Sequence, residues 1–182
     1  MPHVIERASS GRAKCRACGG KIASRDLRFG ERQPNPFGED RSEMTLWFHI
    51  ACGAFTRPEP FLEALEHTTE ALDDREHFAH QARLGLAHRR LPRAFATSRA
   101  PTGRATCRSC RKPIAKDTWR ISLIYFEDAR FVPSGFIHAG CARAYFETAE
   151  IVDRLRHFSP ELTAADLEEL QSQLLENGQA AG

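Results

Sequence analysis

No stretch of this 182-residue sequence is long and apolar enough to span a bilayer. The N-terminus, Met1-Pro-His-Val-Ile-Glu-Arg7, has no apolar run that could act as a signal peptide, so nothing in it points to an oxidising compartment. No nucleophile–base constellation, glycine-rich phosphate loop or pair of catalytic carboxylates stands out, and the chain is not expected to be an enzyme. Lysine is scarce, 4 residues against 22 arginines. That bias suits bidentate contacts to phosphate, though a GC-rich genome produces it too.

The six cysteines leave no remainder. Cys15-Arg-Ala-Cys18 is closed about thirty residues later by His49-Ile-Ala-Cys52, and Cys107-Arg-Ser-Cys110 by His138-Ala-Gly-Cys141. Each half thus offers three thiols and one imidazole at spacings that suit one tetrahedral zinc with four protein ligands. A tight turn lets a cysteine pair face one ion, and His-x-x-Cys fits the first turn of a helix. Two other uses of the cysteines compete. A redox Cys-x-x-Cys pair needs a βαβ setting that the pattern does not show, and a disulfide framework needs an oxidising compartment. Four ligands per site leave no open coordination position for a metal-dependent hydrolase.

The spacing is an internal repeat. Cys107 and Cys110 lie 92 positions after Cys15 and Cys18, and His138 lies 89 after His49. Gly-Arg-Ala-x-Cys-Arg-x-Cys occurs twice, from Gly11 and from Gly103. Metal ligation explains the cysteines but not the arginines, which makes Arg12 and Arg104 functional candidates. Each unit is small enough for its core alone to give marginal stability, so two structural zinc ions are expected to supply the rest.

Net charge is only +2, but its distribution is uneven. From Met1 to Gln33 there are eight basic residues against three acidic, and from Arg83 to Arg120 eleven against one. The stretches Glu59–Phe78 and Glu147–Glu176 reverse this. Basic clustering around both cysteine motifs fits a polyanion partner, and the acidic helices that follow offer a protein-contact surface.

Periodicity adds the elements. Leu27 and Trp119 are read as core positions on strands, with Arg28 and Arg120 on the opposite face. Leu46-Trp-Phe48 and Gly135-Phe-Ile137 read as strands delivering His49 and His138, and Ile121–Phe126 as a strand on β propensity. The turn-rich stretch 33–44 carries Phe37 and Met44, and the loop expected over 127–135 carries Phe131 and Val132. Asp73–Glu76 and Thr163–Asp166 resemble helix caps, the latter ahead of Leu167, Leu170 and Leu174. His77 and His80, with His67 or His88, could hold a metal, but no cysteine or evident carboxylate joins them and a solvated helix face is the better reading.

The ligand spacing resembles the PARP-type zinc finger of poly(ADP-ribose) polymerases and of DNA ligase III. Ser10-Gly-Arg-Ala-Lys-Cys15 is similar to the entry of the polymerase's first finger, and Pro34-Asn-Pro-Phe37 with Met44 and Trp47-Phe-His49 to the ligase finger. The second half departs from the pattern, with Phe136-Ile137 ahead of its histidine and no counterpart of Pro34–Phe37. The fold expected is α+β, two small zinc-stabilised PARP-type fingers, each a short antiparallel sheet with flanking helices. The first covers 1–91 with trailing helices and the second 102–182 with a trailing helix, joined by a linker over 92–101.

The resemblance implies sequence-independent recognition of DNA nicks or ends. Phosphates would lie on Arg12, Arg16, Arg28, Arg104, Arg108 and Arg120. Phe37, Met44, Phe131 and Val132 would stack on the exposed base pair. With no catalytic domain following, a stand-alone break sensor that recruits a DNA ligase or other repair enzyme is expected. A protein-interaction scaffold is the alternative. A compact, arginine-rich chain without a nuclear-type basic cluster points to a bacterial cytoplasm, or to the nucleus in a eukaryote.

Overall fold

A computed structural model describes residues 2–35 and 43–176, the last by its backbone only. Contacts divide the chain into two units: Met1–Ala87 with Phe126–Phe131, and His88–Tyr125 with Val132–Gly182. Each of them holds a three-stranded sheet flanked by helices, so the protein is α+β as expected.

In the first unit the strands are β1 (Val4–Arg7), β2 (Leu27–Pro34) and β3 (Glu43–His49), followed by α1 (Ile50–Thr56), α2 (Pro58–His67) and α3 (Arg75–Ala87). The sheet runs β1-β2-β3, antiparallel throughout, with Phe29 opposite Phe48 and Gly30 opposite Trp47. Period-two alternation sends Phe29, Leu46 and Phe48 into the core and leaves Arg28, Trp47 and His49 on the other face. The Phe29 ring lies 5.5 Å from Phe48 and 5.4 Å from Phe61 of α2. Helix α1 comes so close that a Cβ on Gly53 would stand 2.5 Å from the Phe29 ring. Helix α3 starts at Arg75, after Asp74 in a left-handed conformation.

After a 3-10 turn (Leu91–Arg93) come β4 (Ala94–Arg99), β5 (Trp119–Glu127) and β6 (Arg130–His138), which belong to the second unit except for residues 126–131. A second 3-10 turn (Ala139–Cys141) leads into α4 (Ala142–Phe146), α5 (Val152–Phe158) and α6 (Ala164–Glu176). The sheet order is β4-β5-β6. Its core gathers Ile114, Trp119, Ile121, Leu123, Ile137, Phe146, Leu155, Leu170 and Leu174. Thr163 and Asp166 close the expected cap of α6: the Thr163 N–H donates to Asp166 Oδ2 at 3.0 Å, and the Asp166 N–H to Thr163 Oγ1 at 3.2 Å.

Two expectations are corrected by this unit. Residues 92–101 do not form a linker. They carry β4, whose Ala94 and Thr97 are buried, and the Thr97 N–H donates to Ser159 Oγ at 2.8 Å. The buried Arg154 of α5 donates to the Leu91 carbonyl at 2.6 Å, fixing the start of the segment. Nor is 127–135 a loop. Asp128 (φ 49°) and Ala129 (φ 59°) make a two-residue turn of the primed type, so β6 begins at Arg130.

Candidate metal centres and basic surface

Each cysteine pair is set by a tight turn. The Cys15 N–H donates to the Gly20 carbonyl at 2.8 Å and the Gly19 N–H to the Cys15 carbonyl at 2.9 Å, with Gly19 left-handed at φ 72°. The second turn repeats this: Cys107 N–H to Lys112 carbonyl at 2.9 Å and Arg111 N–H to Cys107 carbonyl at 3.0 Å, with Arg111 left-handed at φ 63°. Strand β3 ends on His49, the N-cap of α1, and Cys52 follows on that helix's first turn. In the second unit the helical turn after His138 is 3-10, and Cys141 closes it.

The four ligand atoms of each group, Cys15/Cys18/His49/Cys52 and Cys107/Cys110/His138/Cys141, lie within 4.8 Å of one another. His49 Nδ1 is 3.3 Å from Cys18 Sγ and 3.9 Å from Cys52 Sγ. His138 Nδ1 is 3.4 Å from Cys110 Sγ and 3.8 Å from Cys141 Sγ. A tetrahedral ion with bonds of about 2.3 Å to sulfur and about 2.0 Å to nitrogen spaces its ligand atoms about 3.5–3.8 Å apart, so both groups fit a metal. The imidazoles are oriented for it from behind. Nε2–H donates to the Lys21 carbonyl in His49 (3.2 Å) and to the Pro113 carbonyl in His138 (3.1 Å), which leaves the Nδ1 lone pair for the ion.

Crowding splits the thiols. Hydrogen bonds with Cys15 and then Cys52 hold Cys18 well below the usual thiol range. Cys52 is pushed up by its bonds to Cys15 and Cys18 and by burial, and Cys15 is pushed up chiefly by Cys18. In the second group the Lys112 backbone lowers Cys110 to about 7, while burial raises Cys141 to about 12. A divalent cation held by these residues would displace the thiol protons and stabilise all three thiolates.

The expected arginines separate into two kinds. Arg12, Arg16, Arg104 and Arg108 are exposed. Arg12, Lys14 and Arg16 border a shallow groove of about 480 Å³ with Thr45 and the half-buried Trp47, directly over Cys15. The Arg16 N–H donates to the Trp47 carbonyl at 2.9 Å, and the Arg108 N–H to the Phe136 carbonyl at 2.8 Å, so both cysteine turns are tied to the strand ahead of the histidine. Arg28 corrects the expectation. It is on the face opposite the core, as alternation requires, yet only 8 % exposed. Its Nη2 bonds Glu6 Oε1 at 2.6 Å and its guanidinium stacks 3.5 Å from the Trp47 ring centroid, so it is a buried, paired group rather than the exposed cation expected. Arg120 is half-buried, stacked 3.8 Å from the Phe136 centroid, with Nε donating to Ser98 Oγ at 3.4 Å.

Of the expected stacking residues, Met44, Phe131 and Val132 are not loop tips. Met44 pairs with Gln33 inside the sheet, on the side of Leu46 and Phe48, and is half-buried. Phe131 and Val132 are half-buried in β6, the Phe131 ring 4.9 Å from Phe126, because the short Asp128–Ala129 turn leaves no loop to carry them. Phe37 lies outside the described residues. Sequence reasoning passed over Lys14, Thr45 and the Glu6 partner of Arg28. Trp47 was named as a motif residue, and only the register of β2 and β3 shows that it shares a face with Arg28.

An α+β protein with two Cys3His groups that could hold metal ions is thus defined by fold and site. Among the described residues no helix is long and apolar enough to cross a membrane.

No family model matches the chain. It is similar to the polynucleotide 3′-phosphatase ZDP of Arabidopsis thaliana, 26% identical over 187 residues, covering 87% of this chain and 26% of that protein. It is 29% identical over 138 residues to poly(ADP-ribose) polymerase 1 of Gallus gallus, covering 66% of this chain and 13% of the polymerase. Against poly(ADP-ribose) polymerase 1 of Caenorhabditis elegans it is 38% identical over 52 residues, 29% of this chain and 5% of that protein. The chain therefore spans about a quarter or less of the length of these curated relatives.

Proposed function

We propose that this protein recognises DNA strand breaks through two PARP-type fingers, each built on a structural zinc ion. The observation that carries the reading is the groove of Arg12, Lys14, Arg16, Thr45 and Trp47 beside Cys15 of the first metal group. Three exposed cations beside an aromatic ring suit a strand whose phosphates and bases are both accessible, as at a nick or an end. Arg104 and Arg108 offer exposed cations at the matching positions of the second unit. Similarity to two poly(ADP-ribose) polymerases and to a polynucleotide phosphatase supports a role at damaged DNA. Phosphate contacts supply affinity without sequence information, and the exposed terminal base pair supplies the preference for breaks.

Zinc is the metal we assign. Three thiolates and one imidazole at tetrahedral spacing are a soft, closed set that suits a structural zinc ion. We read the chain as a binding protein rather than an enzyme, one that presents broken DNA to a separate ligase or other repair enzyme.

The test is a titration with three labelled duplexes of one sequence: intact with hairpin-closed ends, nicked, and blunt-ended. The expected result is tighter binding to the nicked or ended duplex that persists as salt is raised. Equal and strongly salt-sensitive binding to all three would reduce the protein to a general polyanion binder and overturn the reading.

A further inference from the structure

Arg28 and Arg120 stand 92 residues apart in sequence and occupy the same place in their respective units. Each lies on the strand preceding the one that delivers the metal-binding histidine. Each places its guanidinium over the aromatic ring two residues before that histidine, Trp47 at 3.5 Å and Phe136 at 3.8 Å. Both guanidinium groups have a second partner on the first strand of the same sheet, Glu6 for Arg28 and Ser98 for Arg120. Trp47 has the Gly30 backbone at its edge, where a Cβ would stand 2.6 Å from Cζ3. The carbonyl of each aromatic residue receives the N–H of Arg16 or Arg108, and the Arg108 side chain passes within 2.9 Å of where a Cβ on Gly135 would be. In both units, then, a half-buried ring is stacked by a strand arginine, and its own main chain is bonded to that of the cysteine turn.

We propose that Arg28 and Arg120 are positioning residues for Trp47 and Phe136, and that these two rings meet the sugar and base of the strand whose phosphates lie on Arg16 and Arg108. The inference rests on the strand-break reading for its ligand, while the stacking itself is independent of it. Arg28 stacks its planar guanidinium on the ring while Nε and Nη2 both donate to Glu6 Oε1, a combination that the single ammonium of a lysine does not reproduce. Its charge is already matched by Glu6, so it contributes little to the electrostatics that a phosphate feels.

The full-length zinc-loaded chain is titrated with a hairpin-closed duplex carrying one nick, across a salt series, as wild type, Arg12→Gln, Arg28→Gln, Arg28→Lys and Arg120→Gln. Metal content is checked for each variant. Arg12→Gln is the phosphate control, expected to reduce the slope of log affinity against log salt by about 0.9. Arg28→Gln is expected to weaken binding roughly fivefold, the scale of one cation–π contact, with the slope unchanged and with no recovery in Arg28→Lys. Arg120→Gln is expected to behave in the same way. Tryptophan emission without DNA supplies the separate readout. Arg28→Gln should shift it to the red as Trp47 meets water, whereas Arg120→Gln should not, because the buried Trp119 stacks with Arg99 instead. A slope that falls by about 0.9 and is restored by lysine makes Arg28 a phosphate contact and overturns the proposal. Unchanged emission in Arg28→Gln overturns it as well. If the wild type binds no nicked DNA, the strand-break reading fails first, and the rings lose their assigned ligand even where the emission shift is seen.

Discussion

Removing the metal from the first unit is the perturbation whose size follows most directly from the ligand geometry. At site 1 three thiols and an imidazole are crowded within 4.8 Å. Mutual hydrogen bonds and burial push Cys15 and Cys52 up, and the hydrogen bonds hold Cys18 down. Zinc takes its sulfur ligands as thiolates, so binding should release protons from this site and its affinity should rise with pH. A domain of this size has a net stability of about 5–14 kcal/mol, whereas a structural zinc contributes apparent energies of about 10–16 kcal/mol. The metal is therefore worth as much as the rest of the unit, and excess chelator should unfold it. The assay is near-ultraviolet circular dichroism, which reads the packed rings of Phe29, Phe48 and Phe61, together with metal content and proton release followed by an indicator dye. Expected are a cooperative loss of the near-ultraviolet bands, recovery on adding zinc, and faster loss at lower pH. Full retention of the bands in a chain stripped of metal would refute the reasoning, because the core would then be stable without the ion.

Other perturbations probe single links. Gly30→Ala puts a Cβ 2.6 Å from Trp47 Cζ3, and the ring must move. A loss of about 1–3 kcal/mol in thermal denaturation and weaker binding to nicked DNA are expected, with both metals retained. Phe61→Ala empties the ring contact with Phe29 in the first core and should cost about 3–5 kcal/mol of stability in denaturant titration. Arg12→Glu with Arg104→Glu removes two exposed cations and should lower the salt slope by about 1.8, whereas a protein-scaffold role would leave partner capture intact. Hydrogen bonds from Thr163 lower the pKa of Asp166, so the cap contributes stability that is present above the ordinary aspartate range and lost as pH falls through the lowered value. The thermal advantage of wild type over Asp166→Asn should accordingly shrink as the pH falls from about 5 towards 3.

Metal ligands were legible in the sequence because their chemistry and spacing are local: two Cys-x-x-Cys turns and two His-x-x-Cys turns, each carried by a few residues. The ends of β3 and β6 that deliver the histidines and the α6 cap were legible for the same reason. What escaped depends on residues distant in the chain. Alternation placed Arg28 away from the core but could not show that Glu6 and Trp47 would cover it there. The stretch 92–101 has the proline, serine and alanine of a linker, and only the burial of Ala94 and Thr97 in the second sheet makes it a strand. The Asp128–Ala129 turn was missed because it reaches left-handed geometry without the glycine that usually signals it, and with it went the true setting of Phe131 and Val132.

The carbonyls of Lys21 and Pro113 that receive the histidine Nε2–H groups have a further consequence. The choice of which imidazole nitrogen meets the ion is encoded by the path of the main chain, and no side chain is needed to enforce it. Lysine stands at one of these positions and proline at the other, and the same tautomer results. Side-chain substitution at either position therefore leaves the selection in place.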